Sequence, residues 1–180
     1  FLIGTFVQLG RDGLYYNGHH LVDADRAYIG AEAQAYIDNL TLYVQGGLQQ
    51  LSYDQSNAPS FDGWFGSVEA RYFLTPDFRI DAHAGLSTLT DDTYGYQYKT
   101  TNFGFGTTYK FEDSPMSIFA KYDYSNSDFT GSGPDASLDQ HRILFGATFA
   151  IDEDTLLSRD RSGPSLNPVE SSLMSVGGPN

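Results

Sequence analysis

Apolar and polar residues alternate one for one through eight segments of this chain. From Arg79 to Leu86, the residues Arg79, Asp81, His83 and Gly85 interleave with Ile80, Ala82, Ala84 and Leu86. The alternation recurs at Tyr28–Ile37, Leu40–Leu48, Trp64–Leu74, Asn102–Phe111, Met116–Tyr124 and Arg142–Ile151, and more loosely at Phe1–Leu9. A period of two belongs to strands, whose successive side chains point to opposite faces. One face carries no charged residue and includes Ile3, Val7, Ile29, Ala33, Val44, Val68, Ile80, Phe103, Phe105, Ile118, Ile143 and Phe145. The opposite face carries Glu32, Glu69, Arg71, Arg79, Asp81, His83, Lys110, Lys121, Asp123 and Arg142. An uncharged and a charged face on the same strands predict an all-β fold. It is an eight-stranded antiparallel up-and-down transmembrane β-barrel, with lipid outside and polar groups inside.

The connections alternate in length. Asp38-Asn39, Thr75-Pro76-Asp77 and Glu112-Asp113-Ser114-Pro115 are turn-forming sequences at tight-hairpin length. The other four, about Gly10–Asp25, Asp54–Gly63, Thr88–Tyr98 and Ser125–Asp139, are longer and rich in Gly, Asn, Ser, Asp and Tyr. Short turns on one rim and long polar loops on the other suit an outer-membrane barrel with its turns on the periplasmic side. An even number of strands predicts that both ends of the barrel chain are periplasmic. Beyond Ile151 the alternation stops, so the chain divides into a barrel over residues 1–151 and an irregular C-terminal tail over residues 152–180. Gly163, Pro164, Pro168, Gly177, Gly178 and Pro179 deny the tail a regular period. It is expected to lie in the periplasm, either without fixed structure or ordered on a partner.

Composition adds exclusions. Aromatic residues make up 15% of the chain (13 Tyr, 13 Phe and one Trp) and Gly numbers 19, which suits strands and turns better than packed helices. No apolar run approaches the roughly 20 residues of a membrane helix, and mean hydropathy is −0.35, as expected when only alternate residues meet lipid. Cysteine is absent, which excludes disulfides and thiolate metal sites. A formal charge of −13 argues against nucleic acid as a partner, since phosphates need a basic surface. The first residue already lies in a strand, so the compartment is read from the barrel pattern and not from a leader.

On the uncharged face the rings gather near strand ends. Trp64, Tyr122 and Tyr124 fall at the loop end, and Tyr72, Phe78, Tyr109 and Phe111 at the turn end. These are the expected lipid-interface aromatics, because amphipathic rings settle at the headgroup level. A soluble lipocalin-like ligand-binding barrel would alternate too, with its apolar face inward. Its outer face would then be rich in Lys and Glu. The polar face here instead mixes Gly30, Gly47, Gly85, Gly104, Gly106 and Gly146 with Phe65, Phe73, Phe119, Tyr36, Tyr43 and Leu144, a crowded interior rather than a wet surface.

Glu32, Glu69, Arg71, Arg79, Asp81, His83, Lys121, Asp123 and Arg142 are expected to form a lumen charge network, because an unpaired buried charge is costly. Eight strands enclose a space just wide enough for side chains to fill. A filled polar lumen is therefore expected, and a narrow pore for water or small ions is the alternative. Asp81, His83 and Ser87 share one strand face, but Ser87 lies about 13 Å from His83 at strand rise, beyond the contact a nucleophile and base require. His19 and His20 with Asp23 and Asp25, or Asp128 with Asp135, match no defined metal-loop spacing. No enzyme activity, cofactor or metal is expected.

With dyad alternation, interior charges and asymmetric loops together, the chain over about Phe1–Ile151 resembles the small eight-stranded outer-membrane barrels of Gram-negative bacteria, the family of the transmembrane domain of outer membrane protein A. The resemblance is one of architecture and rests on no short motif. It implies a bacterial outer-membrane location, a structural or surface-interaction role, and outer-membrane lipid and lipopolysaccharide as surroundings. A protein partner would meet the long loops or the tail 152–180. Such barrels often finish on an aromatic in the last strand; here the matching Phe149 is followed by the tail.

Overall fold

The computed structural model describes the backbone of residues 1–16, 19–54, 60–91, 93–131, 135–150 and 155–162, and the side chains of the same stretches apart from 12–22. Eight strands follow one another: β1 (Leu2–Tyr16), β2 (His19–Ile37), β3 (Leu40–Tyr53), β4 (Ser60–Thr75), β5 (Phe78–Asp91), β6 (Tyr96–Lys110), β7 (Met116–Thr130) and β8 (Ala136–Phe149). Each pairs antiparallel with the next, so the order in the sheet is the order in the chain. This is the up-and-down topology of an all-β barrel.

The ladders keep like faces in line. Ala33 sits opposite Val44, Val44 opposite Val68, Val68 opposite Ala84, Ala84 opposite Phe103 and Phe103 opposite Tyr124, an unbroken uncharged row. Burial follows the same division. Ile29, Phe105 and Phe145 are 59%, 60% and 79% exposed, while Glu32, Arg71, Asp81 and Lys110 are buried. Apolar outside and ionic inside is the reverse of a water-soluble domain and of the lipocalin-like alternative, and it is what a bilayer requires.

Three tight turns join β2 to β3, β4 to β5 and β6 to β7. Asp38 and Asp113 occupy the left-handed region at φ 48° and 51°, which aspartate tolerates better than most side chains because it bonds locally. At the other rim the strands run further than the alternation predicts: β1 reaches Tyr16, β2 begins at His19, β3 reaches Tyr53, β5 reaches Asp91 and β8 begins at Ala136. Much of the expected loop sequence is therefore hairpin. Strands of 14–19 residues exceed the roughly 9–11 needed to cross a bilayer. In these extensions the ladder continues while the faces invert: Leu51, Phe61 and Leu89 turn inward and the outward positions become polar. Asp91 closes one such hairpin, its carboxylate accepting the backbone N–H of Thr93 and Tyr94 at 3.0 and 2.9 Å.

β1 and β8 are the two ends of the strand order, and no β1–β8 ladder is present among the described residues. Hydrocarbon leaves no backbone edge unpaired, which makes these strands the seam of the barrel. β8, with no strand paired on its far side among the described residues, is exposed along nearly its whole length, the inward-facing Leu144 included. Ile151, expected in the last strand, lies outside the described residues. Within the tail, Leu156–Arg161 form a short helix, α1, which no sequence period announced. Thr155 caps it, its hydroxyl accepting the Ser158 N–H at 3.1 Å.

The division of faces is directly testable. Ile29→Arg or Phe105→Arg places a cation in the lipid and should lower unfolding free energy in phospholipid vesicles by about 2–4 kcal/mol for a mid-bilayer position. Unimpaired insertion of both variants would mean that the faces are reversed.

Candidate functional site

The lumen is where the chain concentrates its chemistry. On β4, Glu69 and Arg71 lie two residues apart on the inward face and make a two-pronged pair, with Arg71 Nε to Glu69 Oε1 and Arg71 Nη2 to Glu69 Oε2 both at 2.8 Å. The guanidinium stacks 5.5 Å from the Tyr43 ring centroid on β3. Tyr43 in turn donates its hydroxyl to Glu32 Oε2 on β2 at 2.5 Å. One continuous group thus links Glu32, Tyr43, Arg71 and Glu69 across three strands. Two-pronged arginine–carboxylate contacts and a satisfied tyrosine are what allow charge to sit away from water.

The opposite wall is organised by glycine. His83 on β5, Gly104 on β6 and Asp123 on β7 share one row of the ladder. Because the middle residue has no side chain, His83 Nε2 reaches to 3.4 Å from Asp123 Oδ1 across two strands. Arg142 on β8 completes this group with Nη2 at 2.9 Å from Asp123 Oδ2. Gly106 holds the same middle place between Asp81 and Lys121. Asp81 pairs with Arg79 of its own strand at 3.0 Å, while Lys121 is exposed and makes no ion pair among the described residues. Of the expected network residues, all but Lys121 join one of three groups. Lys110 is buried beside them at the turn end.

Both mouths are covered. At the loop end Ala24, Leu51, Phe61 and Leu89 form a buried apolar cluster with Tyr53, Tyr96 and Tyr98 against it. Its rings run in sequence, Tyr53 to Phe61 at 6.3 Å, Phe61 to Tyr98 at 5.3 Å and Tyr98 to Phe129 at 4.7 Å between centroids. Below it Phe6, Tyr28 and Phe65 pack together. At the turn end the cover is α1. Leu156 is buried, the Leu157 N–H donates to Pro76 O at 3.0 Å, and Arg161 donates to the Asp38 carbonyl. Asp160 enters the lumen and joins the Arg71 group, with Oδ1 at 2.8 Å from Arg71 Nη1 and Oδ2 at 2.5 Å from Thr41 Oγ1.

Asp160, Thr41 and Gln34 were not among the residues singled out by sequence, and Tyr43 was placed on the inward face but not in the network. Asp160 sits in a segment without strand period, and the other three are uncharged. An acid flanked by Arg159 and Arg161 just after a Thr cap was the available signal. The expected interface aromatics lie on the outward face. Phe78, Tyr109 and Phe111 make a chain of edge-on contacts at the turn end. Tyr122 and Tyr124 pack on Phe105 and Phe103 toward the loop end, and Trp64 and Tyr72 are exposed. His141, expected at a strand start, lies within β8 and bonds the Tyr122 hydroxyl through Nδ1 at 2.8 Å. His83 turns to Asp123 and not to Ser87. The side chains of His19 and His20 lie outside the described set, and among the described residues no group of three or more His, Asp or Glu is placed to hold a metal.

The glycine spacing yields a prediction. A Cβ at Gly104 would collide with the His83 ring, the Asp123 carboxylate and the Tyr122 carbonyl, whereas one at Gly66 would meet Gln45 O at an ordinary 3.9 Å. Gly104→Val should cost about 1–3 kcal/mol by overpacking in a urea titration of the vesicle-inserted protein. Gly66→Val should change the midpoint little. Equal midpoints for the two variants would contradict the bridged arrangement.

Comparison with curated proteins gave no match, and comparison with solved structures gave none. The family model described as Outer membrane protein beta-barrel domain matches residues 26–156, from within β2 to the first residue of α1. With its eight antiparallel strands, apolar exterior and ionic lumen, the chain belongs to the outer membrane protein beta-barrel domain family and is a bacterial outer-membrane protein.

Proposed function

We propose that this protein is a non-conducting, non-catalytic barrel with a structural or interaction role in the bacterial outer membrane, presenting its hairpins or its tail to a partner. The observation that carries the reading is the occupied lumen. A ring cluster covers one mouth, α1 covers the other, and paired charges fill the space between them. A conducting path needs water along its length, and buried Phe65, Phe73, Gln34 and Thr41 stand in its way. The absence of catalysis is supported by His83, whose near neighbour is a carboxylate already paired with Arg142 rather than a nucleophile.

The tight turns are assigned to the periplasm and the extended hairpins to the cell surface, where barrels of this kind carry their longer connections. On this orientation Arg11 bridges Asp25 at 2.8 Å and Asp54 at 3.3 Å at the surface end of the barrel. The acidic hairpin ends then face lipopolysaccharide, and both barrel termini are periplasmic. The pore reading makes the opposite prediction in planar bilayers. The purified full-length protein should give no discrete current steps across a range of voltages. Sustained unitary steps that scale with voltage would replace the filled barrel by a channel.

A further inference from the structure

The contact between α1 and the lumen has the form of a latch. Asp160 lies in a six-residue helix that few apolar contacts hold, since Leu156 is its one buried residue. Yet its side chain is 2% exposed, beside an Arg71 side chain at 6%. Three barrel donors converge on that one residue: Arg71 Nη1 on Oδ1 at 2.8 Å, Thr41 Oγ1 on Oδ2 at 2.5 Å, and Gln34 Nε2 on the backbone carbonyl at 3.1 Å. They come from β4, β3 and β2, so the receptor is built into the barrel wall and not into α1. The helix also makes a backbone bond to the Pro76 carbonyl, the Arg161 bond to Asp38, and a contact of Arg161 with the Tyr36 ring.

The receptor also stands without its occupant. Arg71 gives Nε and Nη2 to Glu69 and reserves Nη1 for Asp160, so departure of the tail leaves the guanidinium paired. Thr41 and Gln34 are covered by α1 and would meet water at the open mouth instead of becoming orphaned donors. A buried charge held by a satisfied receptor, on a six-residue segment with one buried apolar side chain, is the chemistry of reversible docking. We propose that the turn-end mouth of the lumen is a carboxylate-binding site whose resident occupant is Asp160, making α1 a releasable latch that opens or closes that mouth. The ligand class able to take the place of α1 is an acidic peptide segment presenting one carboxylate to Arg71 and Thr41. This goes beyond the proposed function and does not depend on it.

The absence of native cysteine allows a clean test in the full chain. Spin labels at Ser158→Cys on α1 and Glu112→Cys on the β6–β7 turn, both exposed positions, report one distance in vesicle-inserted protein. The parent should give a narrow distance distribution, and adding Asp160→Ala should broaden it to that of a free tail. Unheated gel migration, which reports the barrel itself, should stay compact. Thr41→Val, which removes one donor at nearly constant volume, should give a partial shift to the broad population. A distribution that stays narrow in Asp160→Ala would overturn the carboxylate latch, and a broad distribution in the parent would overturn docking of α1 altogether.

Discussion

Hydrocarbon offers the backbone no hydrogen-bond partner, and that one constraint organises this protein. Every N–H and C=O at membrane depth must be paired, and antiparallel ladders do this between each two consecutive strands from β1 to β8. Once the backbone is committed to strands, side chains have two destinations. The outward positions tolerate no charge, which is why Ala33, Val44, Val68, Ala84 and Phe103 line up in one row. The inward positions take whatever fills a narrow space, which is why glycine, phenylalanine and arginine occur together there.

Placing charge in that interior creates the second requirement. Each ion needs a partner of fixed geometry, and the barrel meets this in two ways. On β2–β4 long side chains interlock, with Arg71 between Tyr43 and Glu69. On β5–β8, Arg79 and Asp81 pair along one strand and Arg142 reaches Asp123 from the next, while Gly104 leaves the gap through which His83 approaches Asp123 from two strands away. Gly104 and Gly106 are therefore spacers among the charged side chains, while Gly30 and Gly146 make room for the Phe6 and Phe119 rings. α1 extends the same logic to the mouth, where Asp160 occupies the side of Arg71 that Glu69 leaves open.

The barrel and its faces were legible because lipid imposes period two. Ile29, Phe105 and Phe145 could not have been placed inward without putting Glu32 or Asp123 into lipid. The candidate network was legible as a set of charges but not as pairs. Nothing in the chain near Arg71 foretells Asp160, which lies 89 residues away. Tyr43 and Thr41 matter through hydroxyls that a charge census passes over. Strand ends were misjudged at the loop-end rim for a physical reason: there the alternation inverts, with Leu51, Tyr53, Tyr96 and Tyr98 turned inward to an apolar cluster while Gln50, Gln97 and Lys99 point outward. Helix α1 was missed because six residues held by a Thr cap and one carboxylate carry too little pattern for a periodicity to register.

The assignment of faces is tested most directly by a nitroxide scan along β6 from Asn102 to Tyr109 in vesicles, comparing accessibility to oxygen, which concentrates in lipid, with accessibility to a water-soluble nickel complex. The account predicts oxygen accessibility that peaks at positions 103, 105, 107 and 109 and falls at the intervening positions, where packing excludes both probes. Peaks on the even positions, or an unbroken profile without period two, would contradict a barrel that turns its apolar face to the membrane.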